Sequence, residues 1–162
     1  LYTIKMKTIY TSGVFDLFHY GHVRMLKKCE EIAFNMQHRL REKIRLLIGI
    51  HGDEACKDYK RQPIMNINER STSIIELIEW LGSRGVFVAV LLDAPIVETR
   101  EFYEENEIVK TIHAHSEEEH EKYSIYYKDG LEMGIFHRLD YTSDISTTEL
   151  INRCIESTYE KI

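Results

Sequence analysis

The sequence contains no run of apolar residues long enough to cross a bilayer, and its first residues lack the long apolar segment of a secretory signal. Its three cysteines, Cys29, Cys56 and Cys154, lie far apart and in no metal-ligand or redox spacing. This spacing predicts buried or incidental thiols and no disulfide framework. From these absences we expect a soluble, cytoplasmic protein.

Positive charge is also scarce. The 162 residues include 21 Lys and Arg against 27 Asp and Glu, which gives a formal net charge of −6. A protein that coats nucleic acid needs a basic surface to neutralise phosphates, so we expect no nucleic-acid partner. With 43% hydrophobic residues and no internal repeat, the chain is long enough for one domain with a real core.

Strand-like and helix-like segments alternate along the chain. Short runs rich in β-branched and aromatic residues predict buried strands at 8–11, 44–50, 86–92 and 109–114. Apolar residues at helical spacing predict helices from about Val23 to Met36, at 74–81 and at 100–106. We predict a polar loop at 51–61, and a solvated loop or helix face at the charged run 117–122. The alternation favours a parallel sheet, so we predict a single doubly wound α/β domain over residues 1–162.

Two histidines, His19 and His22, follow the first predicted strand in the pattern His-x-Gly-His. At a turn from strand to helix, this spacing places two imidazoles beside a phosphate, while Gly21 lets the backbone approach closely. Donors aimed at the charge that develops on phosphorus supply most of the catalysis in nucleotidyl transfer. Taken alone, the pattern fits ordinary surface or capping histidines equally well. A Ser-x-x-Glu capping box at 146–149 predicts a final helix.

The residues around the histidines decide between these interpretations. The run 12–22, Ser-Gly-Val-Phe-Asp-Leu-Phe-His-Tyr-Gly-His, closely resembles the signature of the cytidylyltransferases, the family that includes the choline-phosphate and ethanolamine-phosphate enzymes. Further landmarks follow in the family's order: 49–54, Lys60 ten residues before Arg70, and the Ile-Ser-Thr-Thr run at 145–148. The resemblance implies a Rossmann-like nucleotidyltransferase fold, and it identifies the chain as a catalytic domain.

The resemblance also implies a reaction. An oxygen of a substrate phosphate attacks the α-phosphorus of CTP and pyrophosphate leaves. The implied catalytic residues are His19, His22 and Lys60, and the implied cofactor is Mg²⁺ that binds with CTP as substrate, with no metal held by protein side chains. The residues that it assigns to nucleotide binding are Gly13, Val14, Phe15, Asp16, Gly21, Asp53, Arg70, Ile145, Ser146, Thr147 and Thr148. The residues that it assigns to the acceptor are Asp16, Lys60 and His113.

The implied partners are CTP, a phosphomonoester and a second copy of the chain in a homodimer. Phosphocholine is the first acceptor that we expect, because 13–19 and 132–134 look most like the choline branch. Phosphoethanolamine is close behind, because 112–114 resembles the Val-His-Gly of the ethanolamine branch. Regulation at a membrane, which choline-branch enzymes often achieve through a C-terminal amphipathic helix, would need a segment outside these residues.

The chain departs from the family's pattern mainly around the acceptor. The positions concerned are Ile96, Ala114, Glu118 and Tyr141. Tyr141 stands where the family often has a phosphate-binding arginine, for which Arg138 is the candidate substitute. We interpret Tyr123, Tyr126 and Tyr127 as packing or surface residues rather than as replacement aromatics.

Two other functions stay open. His-x-Gly-His loops also serve adenylyl transfer, although the rest of the first motif and the Asn-Glu-Arg run count against it. The replaced residues also leave room for a degenerate, non-catalytic nucleotide-binding module, although the intact His19, His22 and Lys60 count against that.

Overall fold

A computed structural model describes residues 5–159. Its centre is a sheet whose strands are β1 (Lys7–Gly13), β2 (Ile44–His51), β3 (Phe87–Ala94), β4 (Ile108–Ala114) and β5 (Phe136–Leu139). The order in the sheet is β3-β2-β1-β4-β5, and all neighbouring strands are parallel. β2 is buried along almost its whole length, as an aliphatic run in a covered parallel sheet should be.

Helices connect the strands and cover both faces of the sheet. They are α1 (Tyr20–Leu40), α2 (Asp53–Tyr59), α3 (Ile67–Ile75), α4 (Ile78–Leu81), α5 (Arg100–Glu105), α6 (Glu117–Tyr123), α7 (Lys128–Glu132) and α8 (Thr147–Tyr159), with a 3-10 turn at Ser124–Tyr127. Successive strand residues point to opposite faces. Ile9 packs in one buried cluster with Leu26 of α1, and Tyr10 packs in another with Tyr103 of α5. No helix within residues 5–159 is long and apolar enough to cross a membrane.

The doubly wound α/β fold is therefore confirmed. Each of the four predicted strands is present, with ends within two residues of the prediction. The charged run 117–122 forms the largely solvent-facing helix α6. The final helix starts as predicted, with the Ser146 hydroxyl accepting from the Glu149 amide at 3.1 Å.

Several predictions of local structure are wrong. The segment 51–61 is not a loop throughout, because α2 occupies most of it, with two acidic residues in its first turn and Cys56 buried. α1 begins at Tyr20 rather than near Val23, because histidine side chains cap its start. The helix predicted at 74–81 begins earlier, as α3, and breaks before α4.

The capping box formed by Asn66 and Glu69 explains the early start of α3. The Asn66 side chain accepts from the Glu69 amide at 3.0 Å, and the Glu69 carboxylate accepts from the Asn66 amide at 2.9 Å. β5 and α7 were not predicted, because segments of four and five residues are too short to show a clear period.

The fold creates a crevice at the carboxyl ends of β1 and β4. The chain winds from β1 toward β3 on one side and from β4 toward β5 on the other, so the loops that follow these two strands diverge. In the loop after β1, Phe15 (φ 56°) and Leu17 (φ 44°) adopt left-handed backbone conformations. Such conformations are costly for residues other than glycine and concentrate at functional sites.

Candidate active site

A cavity of about 500 Å³ occupies this crevice, a size that suits a small ligand. The predicted site residues that line it are Gly13, Val14, Phe15, Asp16, His19, Gly21, His22, Lys60, His113, Ile145, Ser146, Thr147 and Thr148. The structure does not bring Asp53 and Arg70 into its wall. We call the part around 12–22 and 145–148 the motif end, and the part formed by Tyr59, Glu98, His113, His115, Tyr126 and Tyr127 the aromatic end.

His19 and His22 stack on each other at the motif end, with ring centroids 3.9 Å apart. Nδ1 of His19 accepts from the Gly21 amide at 3.1 Å, and Nδ1 of His22 accepts from the His19 amide at 3.2 Å. A nitrogen that accepts carries no proton, so the proton of each neutral ring is on Nε2. Burial lowers the pKa of His19, and burial together with the neighbouring His19 lowers the pKa of His22 to about 3. Both rings are therefore neutral Nε2–H donors at neutral pH.

Gly21 is required by close packing between α1 and the start of α8. A Cβ at this position would lie 2.9 Å from Cε1 of His19 and 3.2 Å from Cγ2 of Ile145. Both distances are shorter than ordinary carbon–carbon contacts. Only glycine therefore fits between the histidine loop and the residue that precedes α8.

Asp16 holds the loop after β1 together. Its carboxylate, 2% exposed, accepts from the amides of Ile64 and Met65, each at 2.9 Å, and from Arg61 at 3.2 Å. Burial alone would raise the pKa of this carboxyl, but these hydrogen bonds outweigh it and hold the pKa of Asp16 below its ordinary value. The Asp16 carbonyl accepts from the Thr147 hydroxyl at 2.7 Å, which ties the loop to α8.

Arg70 supports the same loop from behind. It is completely buried, and its guanidinium donates to the carbonyls of Met65, Val14 and His51 and to the carboxylate of Asp53, at 2.5 to 3.0 Å. In this arrangement its donors are used inside the protein, so Arg70 and Asp53 position the loop. Their contact with nucleotide stays a prediction.

Lys60 lies at the end of α2 and is exposed. Its ammonium group lies over two aromatic rings, 4.9 Å from the centroid of Tyr123 and 5.4 Å from that of Tyr59. These are cation–π distances. The tyrosines of this region therefore already accommodate one cation.

Tyrosines and histidines line the aromatic end. Tyr126 lies edge-on to Tyr59, with centroids 5.0 Å apart, and Tyr127 stacks on His113, also at 5.0 Å. Tyr127 is packed in the interior, as predicted, with 2% of its surface exposed, and both Tyr126 and Tyr127 also line the cavity. Tyr123 does not line it, and contacts Lys60 instead.

Two lining histidines were not singled out from the sequence. Nδ1 of His51 is bonded to the Ala94 carbonyl at 3.0 Å. Nε2 of His115 is buried without a hydrogen-bond partner among residues 5–159, and burial, followed by the charge of His113, lowers the pKa of His115 to about 3. Nothing in the spacing of either residue marks it, because each ends or follows a strand whose pattern is apolar.

Glu98 is a further lining residue that the sequence did not reveal. It lies between β3 and α5, is 2% exposed, and accepts hydrogen bonds from four side chains. The donors are Ser12 (3.0 Å), Tyr103 (2.8 Å), Thr111 (2.7 Å) and Nε2 of His113 (2.8 Å). In the sequence it precedes Thr99 at a helix start, where an exposed glutamate is the ordinary expectation.

Comparison with known proteins identifies the family. A model of the family described as cytidylyltransferase-like matches residues 10–153, from within β1 to about the middle of α8. The chain belongs to the cytidylyltransferase-like family. The crystal structure of the lipopolysaccharide core biosynthesis protein from Thermoplasma volcanium GSS1 has the same fold, with a TM-score of 0.53 and 19% identity over 85% of this chain and 99% of that one.

Curated relatives from this family include two enzyme types. The chain is 33% identical over 154 residues to the ethanolamine-phosphate cytidylyltransferase of Arabidopsis thaliana, covering 92% of this chain and 32% of that protein. It is 31% identical to the mouse ethanolamine-phosphate enzyme (94% and 35%) and 30% identical to a probable choline-phosphate cytidylyltransferase of Schizosaccharomyces pombe (91% and 36%). The chain spans about a third of the length of these relatives.

Of the four positions at which the chain departs from the cytidylyltransferase pattern, three lie on the cavity wall. Ile96, Ala114 and Tyr141 line the cavity, whereas Glu118 does not. Arg138, the candidate substitute for the missing arginine, donates to the His115 carbonyl at 3.3 Å and does not line the cavity. Arg138 therefore does not take the place of the missing arginine in this structure.

Two cations of α1, Arg24 and Lys28, do line the cavity, beside Tyr141. Arg24 is paired with the exposed Asp144 at 3.3 Å. Arg24 and Lys28 are four residues apart, about one helical turn, so they lie on the same face of α1. They are positive groups next to the position from which the family's arginine is missing.

Protein side chains do not offer a magnesium site. Within residues 5–159, no three His, Cys, Asp or Glu side chains are grouped as metal ligands. The two buried carboxylates of the cavity are also engaged, Asp16 by backbone amides and Glu98 by its four donors. The cavity therefore does not fit a Mg²⁺ ion held by the protein.

Proposed function

We propose that this chain transfers the cytidylyl group of CTP to a phosphomonoester, with release of pyrophosphate. The observation that carries the proposal is the stacked pair of neutral imidazoles, His19 and His22, next to the start of α8. Two fixed N–H donors and a helix start suit the charge on a phosphate undergoing substitution. Membership of the cytidylyltransferase-like family supports cytidylyl over adenylyl transfer.

In the proposed reaction, each group has a role. An oxygen of the acceptor phosphate attacks the α-phosphorus of CTP, and the bond to the bridging oxygen breaks as pyrophosphate leaves with its electron pair. The Nε2–H groups of His19 and His22 donate to the oxygens of the α-phosphate, where charge increases. The amides of Thr147 and Thr148, which have no acceptor inside α8, bind the outer phosphates. Lys60 neutralises phosphate charge, and Mg²⁺ arrives on the triphosphate as part of the substrate.

The acceptor that we propose carries a positively charged headgroup. Tyr59 of the aromatic end and its neighbour Tyr123 already hold the ammonium of Lys60, and Glu98 places a carboxylate in the cavity wall. Rings and buried carboxylates favour cations. Phosphocholine and phosphoethanolamine both satisfy this requirement, and the named relatives include enzymes of both kinds. The homodimer stays a prediction.

Pyrophosphate release tests the proposal. We expect release with CTP and Mg²⁺ in the presence of phosphocholine or phosphoethanolamine, little release with glycerol 3-phosphate, and little when ATP replaces CTP. His22→Asn keeps an acceptor near the position of Nδ1 but removes the Nε2–H donor, so we expect kcat to fall by about 10² to 10³. His38→Asn, at an exposed histidine on the same helix, is the matched control and should retain kcat.

Two results would contradict the proposal. An unchanged kcat in His22→Asn would remove the histidine pair from the chemistry. CTP binding without release with any of the three acceptors would favour the non-catalytic nucleotide-binding module instead.

A further inference from the structure

Glu98 is the buried charge behind the acceptor preference proposed above, and its hydrogen bonds show how it acts. Its four donors come from β1, α5 and β4, so it joins three elements beneath the cavity. Burial alone would raise the pKa of this carboxyl, but His113 and the hydrogen bonds from Thr111 and Tyr103 hold it below its ordinary value. The carboxylate is therefore ionised at neutral pH, although burying a charge is costly.

Within residues 5–159 one other glutamate, Glu30, is buried, and it shows how a glutamate with a purely structural role is paired. Glu30 of α1 pairs with Arg84 on the opposite side of the helix from the cavity residues, so a permanent cation offsets its charge. Glu98 has no Lys or Arg partner among residues 5–159, and its ionic partner is His113. A carboxylate that relies on an imidazole inside a ligand cavity is a candidate for a functional role.

His113 transmits the influence of Glu98 to the cavity. Its Nε2 is used by Glu98 at 2.8 Å and lies 3.3 Å from the Thr111 hydroxyl, whereas its Nδ1 makes no hydrogen bond to any residue of 5–159. The ring stacks on Tyr127 at 5.0 Å and is parallel to the ring of His115, 5.8 Å away. The hydrogen bond to Glu98 thus determines that the imidazole proton lies on Nε2, and the stacking on Tyr127 sets the plane of the ring. Nδ1 is therefore the ring nitrogen that a ligand can reach.

We propose that Glu98 is the positioning residue that selects a cationic acceptor, by holding His113 with its Nε2–H directed inward and by placing a negative charge behind it. This inference rests on the proposed cytidylyl transfer. With its Nε2 bonded to Glu98, His113 turns Nδ1 toward the acceptor, and the carboxylate behind the ring attracts a positive headgroup. A phosphomonoester with an uncharged headgroup, such as glycerol 3-phosphate, gains nothing from this arrangement.

The kinetic test compares Glu98→Gln with the parent chain, acceptor by acceptor. We expect KM for phosphoethanolamine or phosphocholine to rise by about tenfold to a hundredfold, because the variant removes the buried negative charge that attracts either headgroup. KM for CTP and the rate with glycerol 3-phosphate should stay unchanged. Tyr103→Phe is the matched control, because it removes a donor to Glu98 but leaves the contact with His113 in place. It should leave acceptor KM nearly unchanged.

A double-mutant cycle separates positioning from general damage. If Glu98 acts through His113, adding Glu98→Gln to His113→Gln should have little further effect on acceptor KM. The proposal would be overturned if the two substitutions had additive effects on acceptor KM. It would also be overturned if Glu98→Gln reduced the rate equally with all three acceptors, or raised KM for CTP as much as KM for the acceptor.

A spectroscopic readout keeps the inference separate from the proposed reaction. In ¹⁵N-histidine NMR of the unliganded chain, we expect the His113 ring to show a protonated Nε2 that exchanges slowly, and Glu98→Leu, which leaves no acceptor at this position, to abolish that signal. Failure of transfer in the parent chain would contradict the proposed function. Absence of the Nε2–H signal in the parent chain would overturn the role of Glu98, whether or not transfer is observed.

Discussion

At the motif end of the cavity, the lining residues come mainly from two short stretches, 12–22 and 145–148, whereas the aromatic end draws its residues from α2, the segment before α5, the end of β4 and the 3-10 turn. The motif end has backbone amides and neutral imidazoles. The aromatic end has tyrosine faces, stacked histidines and a buried carboxylate. The first arrangement suits a phosphate and the second a cation, so one cavity has ends of opposite electrostatic character.

The two ends also differ in what holds them in place. At the motif end, the buried side chains of Arg70 and Asp16 are bonded to backbone atoms, so the loop is held independently of the residues that line the rest of the cavity. At the aromatic end, the contacts run from side chain to side chain, as between Glu98 and His113. Substitutions should therefore alter acceptor choice more easily than the phosphate chemistry.

The largest effect that we expect comes from removing Arg70, the buried residue that supports the loop at the motif end. Arg70→Leu would leave the carbonyls of Val14, His51 and Met65 without their donor and Asp53 without its partner. We expect the free energy of unfolding in urea to fall by about 3–5 kcal/mol.

Arg153→Leu is the matched control for that measurement. Arg153 pairs with Glu149 on the exposed surface of α8, so its loss should cost less than about 1 kcal/mol. An equal cost for the two variants would show that the buried network around Arg70 is not what supports the loop.

Acidification should act on both ends alike. The pKa values of His22 and His115 are both lowered to about 3, mainly by burial. Between the unfolded value of about 6.5 and this folded value, the unfolded chain binds protons that the folded chain does not. Stability should therefore fall as the pH falls through this window, by about 1.4 kcal/mol per pH unit for each histidine.

Urea unfolding at several pH values between 4.5 and 6.5 measures this dependence. His22→Asn and His115→Asn should each flatten the pH dependence by about one proton. A variant with the slope of the parent chain would show that its histidine is not held neutral by burial.

The smallest effect concerns the cations beside the motif end. Lys28→Ala should raise KM for CTP by about fivefold at low salt and by less at high salt, because an exposed charge contributes about 1 kcal/mol and is screened. Arg39→Ala, at an exposed cation near the other end of α1 and away from the cavity, should change KM for CTP little. Equal effects would mean that the positive surface of α1 acts only through its overall charge.

The same contrast explains what could be predicted from the sequence. His19, Gly21, His22 and Ser146 were identified because each lies in a short contiguous pattern that has a local physical meaning. Glu98, His51 and His115 were missed because their surroundings are assembled from distant segments, and a glutamate before a helix or a histidine at a strand end is ordinary in isolation. Arg70 was found by its motif, but its burial depends on four acceptors from separate segments.

The start of α8 lies against the histidine loop that starts α1, with Gly21 packed between them. Peptide dipoles give each helix start a partial positive charge equivalent to about half an elementary charge. With both histidines neutral, much of the positive potential at this end therefore comes from backbone that has no proton to lose. The pull of this end on a triphosphate should consequently persist over the whole pH range in which the two helices stay folded.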